Sequence, residues 1–257
     1  MFVSMDCAVK PLIQDVLPVS DEPILESDGI EIPDYLETYY WWAYVRPWAV
    51  RIFERDWLIN LILWGFYEPL RDRLLAMIGD KVSGRTLKIS CCYGQLEPML
   101  AARVKAGGGT LDILDVAPEQ IKNSRRKNAA FIEDGTVTHY HRNSNDLGFA
   151  DASYNRAIVF FLPHEQPVTE RRKTFTEAFR VVKKGGEVYV VEFHKSKWWH
   201  PLRLIWYPVL LVLEPFARDL WTKDIATWLP HGGLGCTIEK KTIFADFYQL
   251  VKITTPK

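Results

Sequence analysis

The spacing of apolar positions changes character along the 257-residue chain. Residues 86–92, 110–116, 137–141, 154–162 and 187–193 are short runs rich in β-branched and aliphatic side chains and read as strands. Between them, 97–105, 118–130 and 169–182 carry apolar residues at helical spacing, punctuated by Gly107-Gly108-Gly109, by Pro118 and by Gly185-Gly186. Strand–helix–strand alternation implies a mostly parallel sheet with right-handed crossovers. Two more strands close the chain, 237–244 and 247–254, separated only by Ala245 and Asp246. That spacing suits an antiparallel hairpin at the sheet edge. The expectation is a seven-stranded α/β sheet.

Residues 32–79 precede this core and read as helical. Pro33 opens a short helix over 35–45. Pro47 opens a second, with Trp48, Ile52, Trp57, Leu61 and Trp64 at helical spacing and Gly65 as its stop. A third, 68–78, puts Leu70, Leu74, Leu75 and Ile78 on one face. Residues 195–230 form an insertion after the fifth strand. The chain thus divides into an acidic tail (1–31), an aromatic-rich helical segment (32–79) and an α/β domain (80–257) that carries the insertion. The tail bears Asp6, Asp15, Asp21, Glu22, Glu26 and Asp28 against Lys10, unlike a secretory or transit peptide, and is expected to be mobile.

Composition narrows the function classes. Charged residues make up 25% and the formal net charge is zero, so no global basic field favours nucleic acid. The basic runs 122–127 and 171–173 read as solvated helix faces. Cys7, Cys91, Cys92 and Cys236 show no zinc spacing and suit a reducing compartment. The longest apolar run, 204–213, is about half of the ~20 residues a membrane span needs. The ten tryptophans fall in the first helical segment and the insertion, never in the core between. Indole suits ligand walls and membrane–water boundaries, and equally the packing of two segments on each other.

Ligands of doubly wound sheets bind where the first strand meets its helix. Here that stretch reads Leu87-Lys88-Ile89-Ser90-Cys91-Cys92-Tyr93-Gly94. It resembles the methyltransferase loop L-D-x-G-C-G-x-G, with Lys88 in place of the acid, Ser90 and Cys92 in place of glycines, and Gly94 kept. Asp115 ends the second strand, where a carboxylate bonds ribose hydroxyls. Residues 143–149 resemble the D-A-x-x-L-P-F stretch beside adenine, with Asn143 for the usual Asp, followed by Asp146 and Leu147. The fold is therefore expected to be Rossmann-like, of the class I methyltransferase type, with Ser90, Cys92, Tyr93, Gly94, Asp115, Asn143, Asp146 and Leu147 toward S-adenosylmethionine.

Further segments carry a closer resemblance. Residues 32–36, 40–45 and 53–65, then Trp199-His200-Pro201-Leu202, 213–217 with Leu220-Trp221, and 247–251 look like the RquA family of rhodoquinone-biosynthesis proteins. The resemblance spans about 32–254. It implies exchange of a ring methoxy group of ubiquinone for an amino group, with S-adenosylmethionine as amino donor and manganese(II) assisting. In that setting Lys88 would push the donor amine toward its neutral, nucleophilic form. Cys92 and Tyr93 would shift the methionine tail toward the quinone. His164 and Glu165 are the expected metal pair, His164 also acting in catalysis, with His141 and His194 as other imidazoles at strand ends. The insertion, flanked by Lys195, Lys197 and Arg203, would cover the quinone or touch an anionic bilayer, giving a cytoplasmic chain peripheral on the membrane's inner face. No nucleic acid and no obligate protein partner are expected. The rival readings are an orthodox quinone methyltransferase and a non-catalytic quinone- or lipid-binding scaffold.

Overall fold

The computed structural model describes residues 30–203 and 213–257. All of the acidic tail but Ile30 and Glu31, and all of the apolar run at 204–213 but Leu213, lie outside the described residues. Seven strands form one sheet in the order β3-β2-β1-β4-β5-β7-β6. They are β1 (Arg85–Ile89), β2 (Thr110–Asp115), β3 (Val137–His141), β4 (Tyr154–Phe160), β5 (Val182–Phe193), β6 (Thr237–Ile243) and β7 (Tyr248–Thr254). β1 pairs in parallel with both β2 and β4, so the chain reverses its winding there and opens a crevice at the carboxyl end of β1. β7 inserts antiparallel between β5 and β6.

Helices cover both faces. On one, α4 (Tyr67–Ile78) and α5 (Leu96–Ala106) bury Leu70, Leu74, Leu100 and Val104 against Ile113 and Ile158. On the other, α8 (Val168–Val181) buries Phe175, Ala178 and Val181 against Leu87, Val159 and Val190. The second half of the insertion adds Ile225 and Trp228 to that layer. Arg171 lies there too, fully buried and bonded to the carbonyls of Pro163, Gln166 and Phe216. The expectation of a solvated face at 171–173 fails at this residue.

The expected elements are present, with shifted ends. β1 stops at Ile89 because Ser90 turns left-handed at φ 64°, and β4 stops at Phe160 because Phe161 does so at φ 50°. The segment 35–45 is α1 (Asp34–Tyr39) followed by a π turn (Trp41–Val45). The helix expected from Pro47 breaks at Glu54-Arg55 into α2 (Pro47–Phe53) and α3 (Asp56–Ile62). Asn128 ends α6 (Pro118–Lys127), its side chain bonding the Ser124 carbonyl, and α7 (Ala129–Glu133) begins anew.

The layer assignment predicts a contrast. Phe175→Ala, in the α8 layer, should cost about 3–5 kcal/mol by leaving a cavity. Trp57→Ala, 62% exposed, should stay within about 0.5 kcal/mol. Chemical denaturation of both variants checks this.

Candidate active site

The loop after β1 is held by side chains from every element around it. Lys88 Nζ donates to the Ser90 carbonyl at 2.7 Å. Cys91 N–H donates to Asp115 at 2.7 Å and Cys92 N–H to Glu97 at 2.9 Å. Lys127, from α6, donates to the carbonyls of Cys92 and Gly94 at 2.6 and 3.1 Å. Tyr67 donates to the Tyr93 carbonyl at 2.9 Å, and Gly94 N–H reaches Glu54 at 3.3 Å. Two positions need their backbone explained. Ser90 sits where the methyltransferase loop has glycine and carries a left-handed backbone at a cost of about 1–2 kcal/mol. Gly94 (φ 75°) is irreplaceable, because a Cβ there would lie 2.4 Å from the Tyr67 hydroxyl.

Lys127 carries this clamp electrostatically. It is nearly fully buried, 3.4 Å from Glu54 and 3.6 Å from Glu97. Burial works against its charge, but the Glu97 carboxylate foremost outweighs that and raises its pKa. Glu97 also accepts from the Ser124 hydroxyl, which contacts His139 at 2.8 Å. Burial lowers His139 to about 4, so that imidazole is neutral. The solvated reading of 122–127 therefore fails at Lys127, whose ammonium turns inward toward two buried acids.

Over the loop lies a cavity of about 400 Å³. Its roof is the N-terminal helical segment, latched down through Tyr93. The Tyr93 hydroxyl donates to the Ala43 carbonyl at 2.5 Å, and its ring stacks between Tyr44 and Phe53 at 5.9 and 6.0 Å. Gln120 Nε2 donates to the same hydroxyl, leaving Gln120 Oε1 at the cavity with no partner among the described residues. At the floor, Asp115 accepts from the N–H groups of Cys91 and Ala117. Burial pushes its pKa up to about 6, against the lowering effect of those two hydrogen bonds and of Lys88.

A cluster of acids and one imidazole lines the cavity beyond Asp115. His164 Nδ1 lies 3.1 Å from Glu192, and its Nε2 lies 3.7 Å from Glu165 and 4.0 Å from Glu214. Burial opposes charge on His164, but Glu192 and Glu214 outweigh it and push its pKa up to about 10. Glu165 is raised to about 8, chiefly by burial. Tyr44 donates to Glu165 and Tyr40 to Glu214, the latter at 2.7 Å. Among the described residues, no three His, Cys, Asp or Glu side chains are gathered closely enough to form a preformed metal centre.

The structure sorts the sequence-derived candidates. Ser90, Cys92, Tyr93, Asp115, His164 and Glu165 line the cavity. Gly94 lies just behind, shaping the loop. Lys88, expected to act on the donor directly, does not line the cavity: strand alternation turns it beneath the loop, where it acts through Ser90. Asn143, Asp146 and Leu147 are also off the cavity, and Arg142 and Ser144 line it instead. The reason is a tight turn in which Asn143 bridges Asp146, leaving Asp146 exposed and sending Leu147 into the core. His141 and His194 bond the backbone carbonyls of Val116 and Asp246. Sequence reasoning missed Glu54, Glu97, Gln120, Lys127, Glu192 and Glu214. Glu192 had a signal, since it is an acid within the apolar run of a buried strand.

Comparison with known proteins agrees with this geometry. The family model of the ubiE/COQ5 methyltransferase family matches residues 52–224. An uncharacterized methyltransferase of Synechocystis is 24% identical over 208 residues, covering 79% of this chain and 89% of that protein. The ubiquinone/menaquinone biosynthesis C-methyltransferase UbiE of a Geobacter species is 28% identical over 138 residues, 54% of this chain and 57% of its own length. The chain therefore spans little more than half of that enzyme. Among solved structures, a SAM-dependent methyltransferase from Aquifex aeolicus superposes with a TM-score of 0.52 at 16% identity, covering 81% of this chain and 97% of its own. The pyocyanin biosynthetic protein PhzM gives 0.59 at 12%, covering 80% and 61%. These two show the fold alone.

Two outcomes test the site. Lys127→Met should destabilise the fold by about 3–5 kcal/mol in denaturant titration, because it leaves Glu97 buried with its nearest cation gone. A carboxylate accepts hydroxyl hydrogen bonds best when ionised, and Asp115 is the residue expected to take the ribose. Affinity for S-adenosylmethionine should therefore rise as pH increases through about 6 and then level off. Calorimetry on both sides of that pH reads the effect, and Asp115→Asn should flatten it.

Proposed function

The chain belongs to the ubiE/COQ5 methyltransferase family, and from that premise we propose that it exchanges a ring methoxy group of ubiquinone for an amino group, with S-adenosylmethionine as amino donor. The coarser statement, an S-adenosylmethionine-dependent enzyme of quinone chemistry, follows from the family and its UbiE relatives. The observation that carries the finer reading is the charge beneath the donor loop. The ordinary loop acid would stabilise an ammonium; this chain puts the Lys88 ammonium under Ser90 instead. A nearby cation lowers the pKa of an amine, and only the neutral amine attacks an electron-poor ring: the ring–nitrogen bond forms, the methoxy group leaves as methanol with a proton from the amine, the quinone takes the two electrons as the donor's Cα–N bond becomes an imine, and water hydrolyses that imine to leave the amino group on the resulting quinol. Lys88 is thus a positioning residue, and it disfavours charge on the donor.

Other residues divide the remaining work. Asp115 takes the ribose, and the free Gln120 Oε1 offers an acceptor to the donor. Tyr93, Tyr44 and Phe53 wall the cavity and exclude water from a planar ring. Manganese(II), which the resemblance to RquA implies, prefers oxygen donors with some imidazole. Glu165, Glu214 and, once its proton is displaced, His164 Nε2 match it in kind, and Glu192 on Nδ1 would orient the imidazole as metal-ligating histidines require. Bound there, the ion would polarise a quinone oxygen. Ubiquinone resides in lipid, so the working place is the inner face of the cytoplasmic membrane, or the matrix side in a eukaryote. Among the described residues no helix is long and apolar enough to cross a membrane.

A second reading, ring C-methylation, is favoured by the kinship to UbiE. Quinone analysis of a ubiquinone-making host expressing the chain separates the two. Amino-for-methoxy exchange lowers the ring mass, whereas an added methyl raises it. Lys88→Asp should cut the aminated product at least about tenfold while S-adenosylmethionine still binds, since one pKa unit on the donor is a tenfold change in free amine. Full output from that variant would remove Lys88 from the mechanism.

A further inference from the structure

Helices α2 and α3 are apolar on both sides. Inward, Ala49, Val50 and Ile59 are buried. Outward, Trp48, Ile52, Trp57 and Leu61 are 54%, 39%, 62% and 64% exposed. A helix lying on an α/β core ordinarily turns charge to that side. The same character continues on 195–203, where Trp198 and Trp199 are 83% and 55% exposed. The two segments meet at one ring. Phe66, just beyond α3, stacks on Phe244 at 4.2 Å, and His200 packs edge-on to Phe244 at 4.6 Å.

The exposed charges on this face are mostly basic. Arg46, Arg51, Arg55, Lys195, Lys197 and Arg203 are all exposed, and across 46–62 and 195–203 Asp56 is the lone exposed acid. The whole chain is neutral, so this is a local concentration. Arg46 lies 5.9 Å from the Trp41 ring and Lys197 lies 5.8 Å from the Trp199 ring. Tryptophan among exposed lysine and arginine is the composition of a bilayer–water boundary with anionic headgroups. The cavity also opens here. Ile62 and Leu213 both line it, yet are 37% and 43% exposed, so its apolar wall reaches the surface at both residues.

We propose that the outer face of α2 and α3, together with 195–203, seats the chain on an anionic lipid bilayer, and that a prenyl chain enters the cavity between Ile62 and Leu213. The prenyl chain rests on the quinone reading above; the bilayer rests on the surface itself. This goes beyond contact by the insertion, because it makes the N-terminal helices the principal seat and fixes where the tail passes.

Flotation of the full chain with vesicles tests the surface. Vesicles of phosphatidylcholine and phosphatidylglycerol in equal parts should bind it, and pure phosphatidylcholine at least about tenfold more weakly, with the difference shrinking at high salt. Trp57→Ser with Leu61→Ser, and separately Arg51→Glu with Arg55→Glu, should each lower binding to the mixed vesicles about tenfold while S-adenosylmethionine still binds. Ile62→Glu should raise KM for a long-tailed quinone far more than for a short-tailed one. Equal binding to both vesicle types, wild-type binding by both double variants, or a solution dimer that shields Trp57 from a fluorescence quencher would overturn the docking surface. Equal KM effects on long and short tails would overturn the entry point. Vesicle binding without any quinone conversion leaves the surface standing and removes the quinone reading. Conversion of a short-tailed quinone without vesicle binding does the reverse.

Discussion

The backbone of the loop at 90–94 is tied off by side chains, and the rest of the site follows from that constraint. Methyltransferase loops of this kind use glycine so that the main chain can approach a ligand. Here Asp115, Glu97 and Glu54 take up N–H groups, while Lys88, Lys127 and Tyr67 take up carbonyls. Buried charge does the work of flexibility. The arrangement is costly to break, since the buried acids Glu54 and Glu97 both depend on the buried Lys127. It also makes the loop rigid before any ligand arrives.

Rigidity at the loop extends to the roof. Tyr93 leaves the loop and ends on the Ala43 carbonyl, and Glu54 comes back from the end of α2 to the loop. The N-terminal helices are therefore a fixed wall of the cavity. Two chemically distinct ends result. Asp115 and Gln120 stand at one, and His164, Glu165 and Glu214 at the other, with aromatic rings between. Under the function proposed above, the nucleoside takes the first end and the planar ring the second.

The centre of the sheet was legible in the sequence because β1, β2, β4 and the second half of β5 are buried and read as apolar runs between Gly and Pro punctuation, whereas the largely exposed β6 was legible only from its hairpin spacing to β7. β3 spans the expected residues, and the topology followed from the strand–helix alternation. Helix breaks at Tyr40 and Glu54 were not legible, because helical spacing continues across them and only tertiary contacts decide the break. In the site, residues on the loop and at strand ends could be placed from position alone. Lys127 and Arg171 could not, since a lysine or arginine within a charged run carries no mark of burial. Glu214 lay within a stretch quoted for its family resemblance, and only its approach to His164 gives it a chemical role. The shift from Asn143 and Asp146 to Arg142 and Ser144 arose from one local bridge that no periodicity reports.

A crystal grown at saturating S-adenosylmethionine tests the central claim most directly, namely that this clamped crevice still receives the nucleoside. The account predicts ribose hydroxyls on Asp115, the donor's amino-acid end over Ser90 and Cys92, and a loop backbone unchanged in its bonds to Glu97 and Lys127. A crevice filled by the Cys92 and Tyr93 side chains, with no nucleoside in a well-folded chain, would contradict it.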